Sequence, residues 1–143
     1  MWFWMLILVV SIGQVVWWAL DRSPPFRVDS YTIAPVRQGD TVVLDAKVWR
    51  DIDRGCSVTL SNNLYDSTGA RHVIEPPMRF TPGDIAALER KTPGRMSRKI
   101  QLPDVVPAGP ASIVSSMSYE CNPLQEILRP IYVQAEYGFD VLP

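Results

Sequence analysis

Residues 41–50, Thr-Val-Val-Leu-Asp-Ala-Lys-Val-Trp-Arg, decide the fold class of this chain. Val42, Leu44, Ala46 and Val48 fall on alternate positions, and Asp45 and Lys47 lie between them with Val43 and Trp49. A repeat of two sends successive side chains to opposite faces of a strand, whereas a helix needs apolar residues three and four apart. The segment therefore reads as a strand with one buried face.

The same period recurs on both sides. Cys56, Val58 and Leu60 alternate with Ser57, Thr59 and Ser61; Ile113, Met117, Tyr119 and Cys121 alternate with Val114, Ser116, Ser118 and Glu120. Ile131, Val133, Ala135, Tyr137, Phe139 and Val141 form a last apolar face, with a break expected at Gly138. Phe26 to Pro35 reads as extended, with a change of phase near Ser30 that suggests a bulge, and Arg98 to Leu102 as a short strand. Gln38-Gly39-Asp40 and Asp66-Ser67-Thr68-Gly69 are turns, the second folding residues 56–65 onto 70–75 as a hairpin. One helix stands out. Thr81 can cap it, Pro82 suits its first position, Asp84 completes a capping box, and Pro93-Gly94 stops it. About seven short strands and one two-turn helix, without α/β alternation, predict an all-β antiparallel sandwich over residues 26–143.

Cys56 and Cys121 are the only cysteines and share the apolar phase of their strands. Inward thiols on strands of facing sheets can form an inter-sheet disulfide; the other reading is two buried free thiols. The pair, with the order Tyr119-Glu120-Cys121, resembles the immunoglobulin-like families over residues 40–123, with their tyrosine corner next to the second cysteine. The sequence departs from those families in having no Trp between the cysteines; Trp49 precedes the first. The resemblance implies an immunoglobulin-like sandwich architecture. A disulfide would imply an oxidising compartment.

The 143 residues divide unequally in charge: all 14 Lys+Arg and all 15 Asp+Glu follow residue 20. Residues 1–20, MWFWMLILVVSIGQVVWWAL, hold four of the five Trp. Twenty helical residues reach ~30 Å, the thickness of a hydrocarbon core, and the Trp pairs at the two ends suit the headgroup boundaries. A signal peptide would want a basic start and a small-residue cleavage site, both missing here, and a core helix would not be apolar on every face. The reading is an uncleaved single-pass anchor in the lipid bilayer, with Gln14 available for an intramembrane helix contact. Residues 21–25, containing Pro24-Pro25, make a stiff exit linker. Arg22, Arg27 and Arg37 favour a cytoplasmic domain by the positive-inside tendency, while the cysteines favour an extracytoplasmic one, periplasmic or extracellular; the cysteines carry the greater weight.

The formal net charge of −1 speaks against a generally basic nucleic-acid binder, so no specific nucleic-acid binding is expected. An anchor followed by a β-domain is similar in layout to the copper-binding subunits of respiratory oxidases. Those sites need two His and a Cys thiolate, whereas His72 is the only His and no Cys-x3-Cys occurs. His72 has no nucleophile setting for a Ser-His-Asp triad, and no P-loop or dinucleotide fingerprint appears. No catalytic residue, cofactor or metal is therefore expected. Arg90, Lys91, Arg95, Arg98 and Lys99 place five basic residues in ten, read as a loop that could contact an anionic partner. The Arg-rich anchored chain also resembles small membrane proteins encoded by bacteriophages, such as envelope or lysis accessories. The expected function is a non-enzymatic, membrane-anchored binding or scaffolding domain, an accessory subunit of a larger membrane or virion assembly with a protein partner. The alternative is a thiol-redox or other accessory enzyme using Cys56 and Cys121.

Overall fold

Period-two alternation builds two β-sheets that bury their apolar faces against each other in a computed structural model describing residues 2–143; of the expected anchor, Met1 lies outside those residues. The elements are α1 (Trp2–Leu20), β1 (Phe26–Ile33), β2 (Val36–Arg37), β3 (Thr41–Arg50), β4 (Ser57–Tyr65), β5 (Arg71–Val73), β6 (Met78–Phe80), α2 (Pro82–Lys91), β7 (Arg95–Gln101), β8 (Gly109–Glu120), α3 (Pro123–Ile127) and β9 (Ile131–Leu142). One sheet has the order β1-β3-β7. The other runs β2-β9-β8-β4-β5, with β6 also paired to β4.

The quoted strand keeps its predicted phase: Val42, Leu44, Ala46 and Val48 are buried and the residues between them are not. β1 pairs with it antiparallel and slips register between Val28 and Ser30, which is the bulge. The Asp66–Gly69 turn folds β4 onto β5, with Gly69 at φ +81°, a left-handed conformation that glycine adopts without strain. The capping box at the start of α2 is present in both directions between Thr81 and Asp84.

Four expectations are corrected. The strands are not all antiparallel: β2 pairs parallel to β9, Val36 opposite Val141. There are two short helices rather than one, since α3 follows an Asn122 cap whose side chain accepts from the Gln125 N–H. β9 is unbroken through Gly138, whose N–H donates to the Tyr31 hydroxyl at 3.1 Å. The basic residues are not a loop: Arg90 and Lys91 end α2, where cations suit the helix dipole, and Arg95, Arg98 and Lys99 lie in β7.

The buried side chains fall into two apolar clusters. Leu44, Leu64, Ile100, Ile113 and Phe139 belong to the one at the β2 end; Phe26, Val48, Val58, Met117 and Tyr119 belong to the one nearer α1. α1 has no buried residue and meets the domain at its C-terminal end, where Trp18 is half-buried beside α3; the helix is long and apolar enough to span a bilayer.

Candidate functional site

Two features stand out, the joint between α1 and the domain and a chamber between the sheets.

At the joint, Asp21 continues the helix by donating its N–H to the Trp17 carbonyl. Gln125 of α3, 1% exposed, ties three segments together: its Oε1 accepts from the Cys121 N–H at 2.8 Å and its Nε2 donates to the Asp21 carbonyl at 2.7 Å. The Asn122 amide donates to the Trp18 carbonyl. From the other side Arg54 pairs with Asp21 at 2.7 Å and donates to the Ser23 carbonyl, while Arg22 reaches the Arg129 carbonyl. Side-chain hydrogen bonds therefore hold this joint in addition to the Pro24-Pro25 linker. Beside this joint Ile127 and Leu128 are 77% and 71% exposed, next to the end of α1 where lipid headgroups would lie.

Cys56 and Cys121 are disulfide-bonded, with Cα atoms 4.0 Å apart. The bond does not bridge the two sheets. Ser57 pairs with Glu120 across β4 and β8, so the cysteines extend that pairing by one position at the end of a single sheet, directly below the joint. Cys56 is buried and Cys121 half-buried, both against the apolar cluster nearer α1.

The boundary between the two clusters is polar. Ser115, Asn62 and Arg98 all occupy inward phases, between Ile113 and Met117, Leu60 and Leu64, and Met96 and Ile100 respectively. The Ser115 hydroxyl donates to Asn62 Oδ1 at 2.7 Å, and the Asn62 amide donates to Glu75 at 3.1 Å. Arg98 closes the chain on the same Glu75 oxygen at 2.7 Å. Each side chain of this Ser115–Asn62–Glu75–Arg98 series thus has a partner, as a low-dielectric interior demands. Tyr137, 1% exposed, has no hydrogen-bond partner for its hydroxyl. Burial pushes its pKa up to about 12, with Arg98 working against the rise, so it is a neutral donor at ordinary pH. Burial likewise raises the pKa of Tyr119, and the Arg50 charge opposes it.

On the α1 side of that boundary the sheets part around a cavity of about 410 Å³. Its walls are Val58, Leu60, Met96 and Met117, with Phe80, Ile85 and Leu88 closing it where α2 crosses. Pro25, Ile52 and Gly55 line the end nearest the joint, and Ser115, Arg98 and Tyr137 the inner end. Four lining residues are basic (Arg50, Lys91, Arg95, Arg98) and one is acidic, Asp51. Arg50 is held by Glu89, whose second oxygen accepts from the Gly94 N–H.

The sequence-predicted residues therefore separate. Arg98 is turned inward and ion-paired, Lys91 and Arg95 lie at the chamber, and Arg90 and Lys99 are exposed away from it. Gln14 is exposed on α1. His72 meets Asp66 at 2.8 Å; Asp66 also accepts from the Thr68 and Ala70 N–H groups, and these bonds, His72 first, hold its carboxyl well below the usual range. Among the described residues no three His, Cys, Asp or Glu side chains gather as a metal-ligand set. Sequence reasoning missed Gln125, Asn62, Ser115 and Tyr137. A signal existed for Asn62 and Ser115, polar residues on an apolar phase. No protein-family model and no curated protein matches the chain.

Proposed function

We propose that this chain is a membrane-anchored, non-enzymatic binding or scaffolding domain outside the cytoplasm, an accessory subunit of a larger membrane or virion assembly. The observation that carries the reading is the joint. The end of α1 is hydrogen-bonded to α3 and Arg54, so an anchor in lipid would present the domain at one distance and one orientation. A freely jointed tether would need no buried glutamine there. The disulfide supports an oxidising compartment. The burial of Cys56 favours a structural staple over an exchanging thiol pair, which needs accessible sulfur. The two-sheet core supports a sandwich; against the immunoglobulin-like form, the Tyr119 hydroxyl meets the Met117 sulfur at 3.5 Å instead of backbone, and the disulfide pins neighbours within one sheet.

The partner surface we favour is the outer edge of β9. β8 occupies its other edge, β2 pairs with it only at Val141 and Leu142, and β1 flanks it across a cleft lined by Asp29, Tyr31, Gln134 and Glu136. The Gly138 N–H points outward to Tyr31, so alternation turns the backbone groups of Tyr132, Gln134 and Glu136 to the same side, into the cleft beside β1, where an added strand would pair with them. A photo-crosslinking residue at Gln134 or at Tyr132, in membranes of the producing cell, tests this. One cross-linked protein is expected at both positions, lost from the Tyr132 probe when Gln134→Pro is added, and not seen from Asp45 on the opposite sheet. Equal labelling from Asp45, or a domain shielded from external protease in intact cells, overturns the reading.

A further inference from the structure

The scaffolding role leaves the chamber between the sheets unused. We propose that it binds a single-chain amphiphile with a carboxylate head, a fatty acid drawn from the bilayer, with the chain along Val58, Leu60, Phe80 and Met117 and the carboxylate at Arg98 and the Tyr137 hydroxyl.

The size fits one chain: about 410 Å³ lies near the lower end of the ~300–1,000 Å³ typical of small-molecule sites. Much of the wall is hydrocarbon; Arg98, Ser115 and Tyr137 form a polar group at the inner end, and Arg50, Asp51 and Lys91 a second one where α2 ends, so an apolar tail fits between them with its polar terminus at the inner end. Tyr137 supplies a buried donor with nothing to donate to, an arrangement that costs free energy unless a ligand or water completes it. Only one Arg98 nitrogen, Nη2, is engaged, by Glu75, which leaves further N–H groups of its fork to meet a carboxylate. Arg50 and Arg98 are ion-paired with Glu89 and Glu75, so Lys91 and Arg95 against Asp51 leave a small positive excess in the lining, which disfavours a cationic head. The bilayer is the source because the other end of the chamber, at Pro25, Ile52 and Gly55, adjoins the foot of α1. That clause rests on the anchored reading; the binding itself does not. α2 is a suitable cover, since none of its residues is buried and Leu88 remains 43% exposed.

Methionine methyl groups report occupancy directly. Met78, Met96 and Met117 line the chamber and Met5 lies in α1. The full chain, labelled with 13C-methyl methionine in phosphatidylcholine nanodiscs, is titrated with dodecanoate, dodecanol and dodecyltrimethylammonium. Saturable shifts of the three chamber methyls with dodecanoate are expected, with much weaker ones for the other two probes; Met5 monitors partition into lipid. Tyr137→Phe keeps the ring and removes the oxygen, and should weaken dodecanoate about ten- to a hundredfold, the value of one buried hydrogen bond to a charged group. Leu60→Trp fills the chamber and should abolish the shifts, with the unliganded methyl spectrum of each variant checking its fold. No saturable shift, dodecanol binding as tightly as dodecanoate, or an unchanged affinity in a folded Tyr137→Phe overturns the proposal: the chamber would then hold water or apolar chains without selection for a head. Cross-linking at Gln134 does not depend on this result, so the two readings fail separately.

Discussion

Replacing Cys56 and Cys121 together by Ala removes a cross-link that closes 65 residues of chain. Most of its effect falls on the unfolded state, which regains the freedom of that loop. The loop-closure relation assigns ~3 kcal/mol to 15 residues and ~4.7 kcal/mol to 100, so 65 residues correspond to ~4 kcal/mol. That the bond joins neighbours in one sheet does not reduce the figure, because the unfolded chain is constrained equally whichever strands are linked. The native state loses little besides: nine register pairs, from Ser57–Glu120 to Tyr65–Ser112, still hold β4 to β8. Against the ~5–15 kcal/mol of a typical domain this is a large fraction. With a urea slope of ~2 kcal/mol/M the unfolding midpoint should fall by ~2 M. The assay is urea unfolding of the full chain in nanodiscs, followed by the circular dichroism of the strands, for the oxidised protein, the reduced protein and the double variant. The reduced protein and the variant should coincide. A loss below ~1 kcal/mol in both would refute the entropic argument and show that the unfolded chain already holds these strands together.

Three further outcomes follow from named contacts. Gln125→Ala leaves the Cys121 N–H and the Asp21 carbonyl without their partner, and should cost ~2 kcal/mol in a thermal melt while loosening the anchor, read as broader distances between spin labels at Ser11 and Ser118. Arg98→Ala strips the Glu75–Asn62 chain of its cation and should cost ~1–2 kcal/mol after allowance for its partial exposure, whereas Arg90→Ser with Lys99→Ser should change stability by ~0.5 kcal/mol or less. Asp66, depressed below its ordinary 3.8, contributes stability that is fully present above that value and is lost as pH falls below it; Asp66→Asn should lower the melting temperature at pH 6 and flatten its decline between pH 4 and pH 2, and an unchanged acid limb would refute the assignment.

What the sequence determined by itself is local and periodic. The phase of β3, β8 and β9, the bulge near Ser30, the hairpin at Asp66–Gly69 and the Thr81–Asp84 box depend on residues within a few positions of one another, where side-chain alternation, turn chemistry and capping act. The apolar run of α1 is legible for the same reason. The tertiary structure decided which strands are neighbours. An inward phase puts Cys56 and Cys121 in the core, but only the register of β4 against β8 makes them partners within one sheet instead of across two. α3 is too short for a helical period to be read, and forms because Asn122 caps it and Gln125 is bonded to Asp21, 104 positions away. The basic run loses its unity for the same reason: β7 alternates, so Arg98 turns inward to Glu75 while Lys99 faces out. Periodicity assigns a side chain to a face; only the folded chain assigns it a partner, because hydrogen bonds and ion pairs act over a few ångströms between residues far apart in sequence.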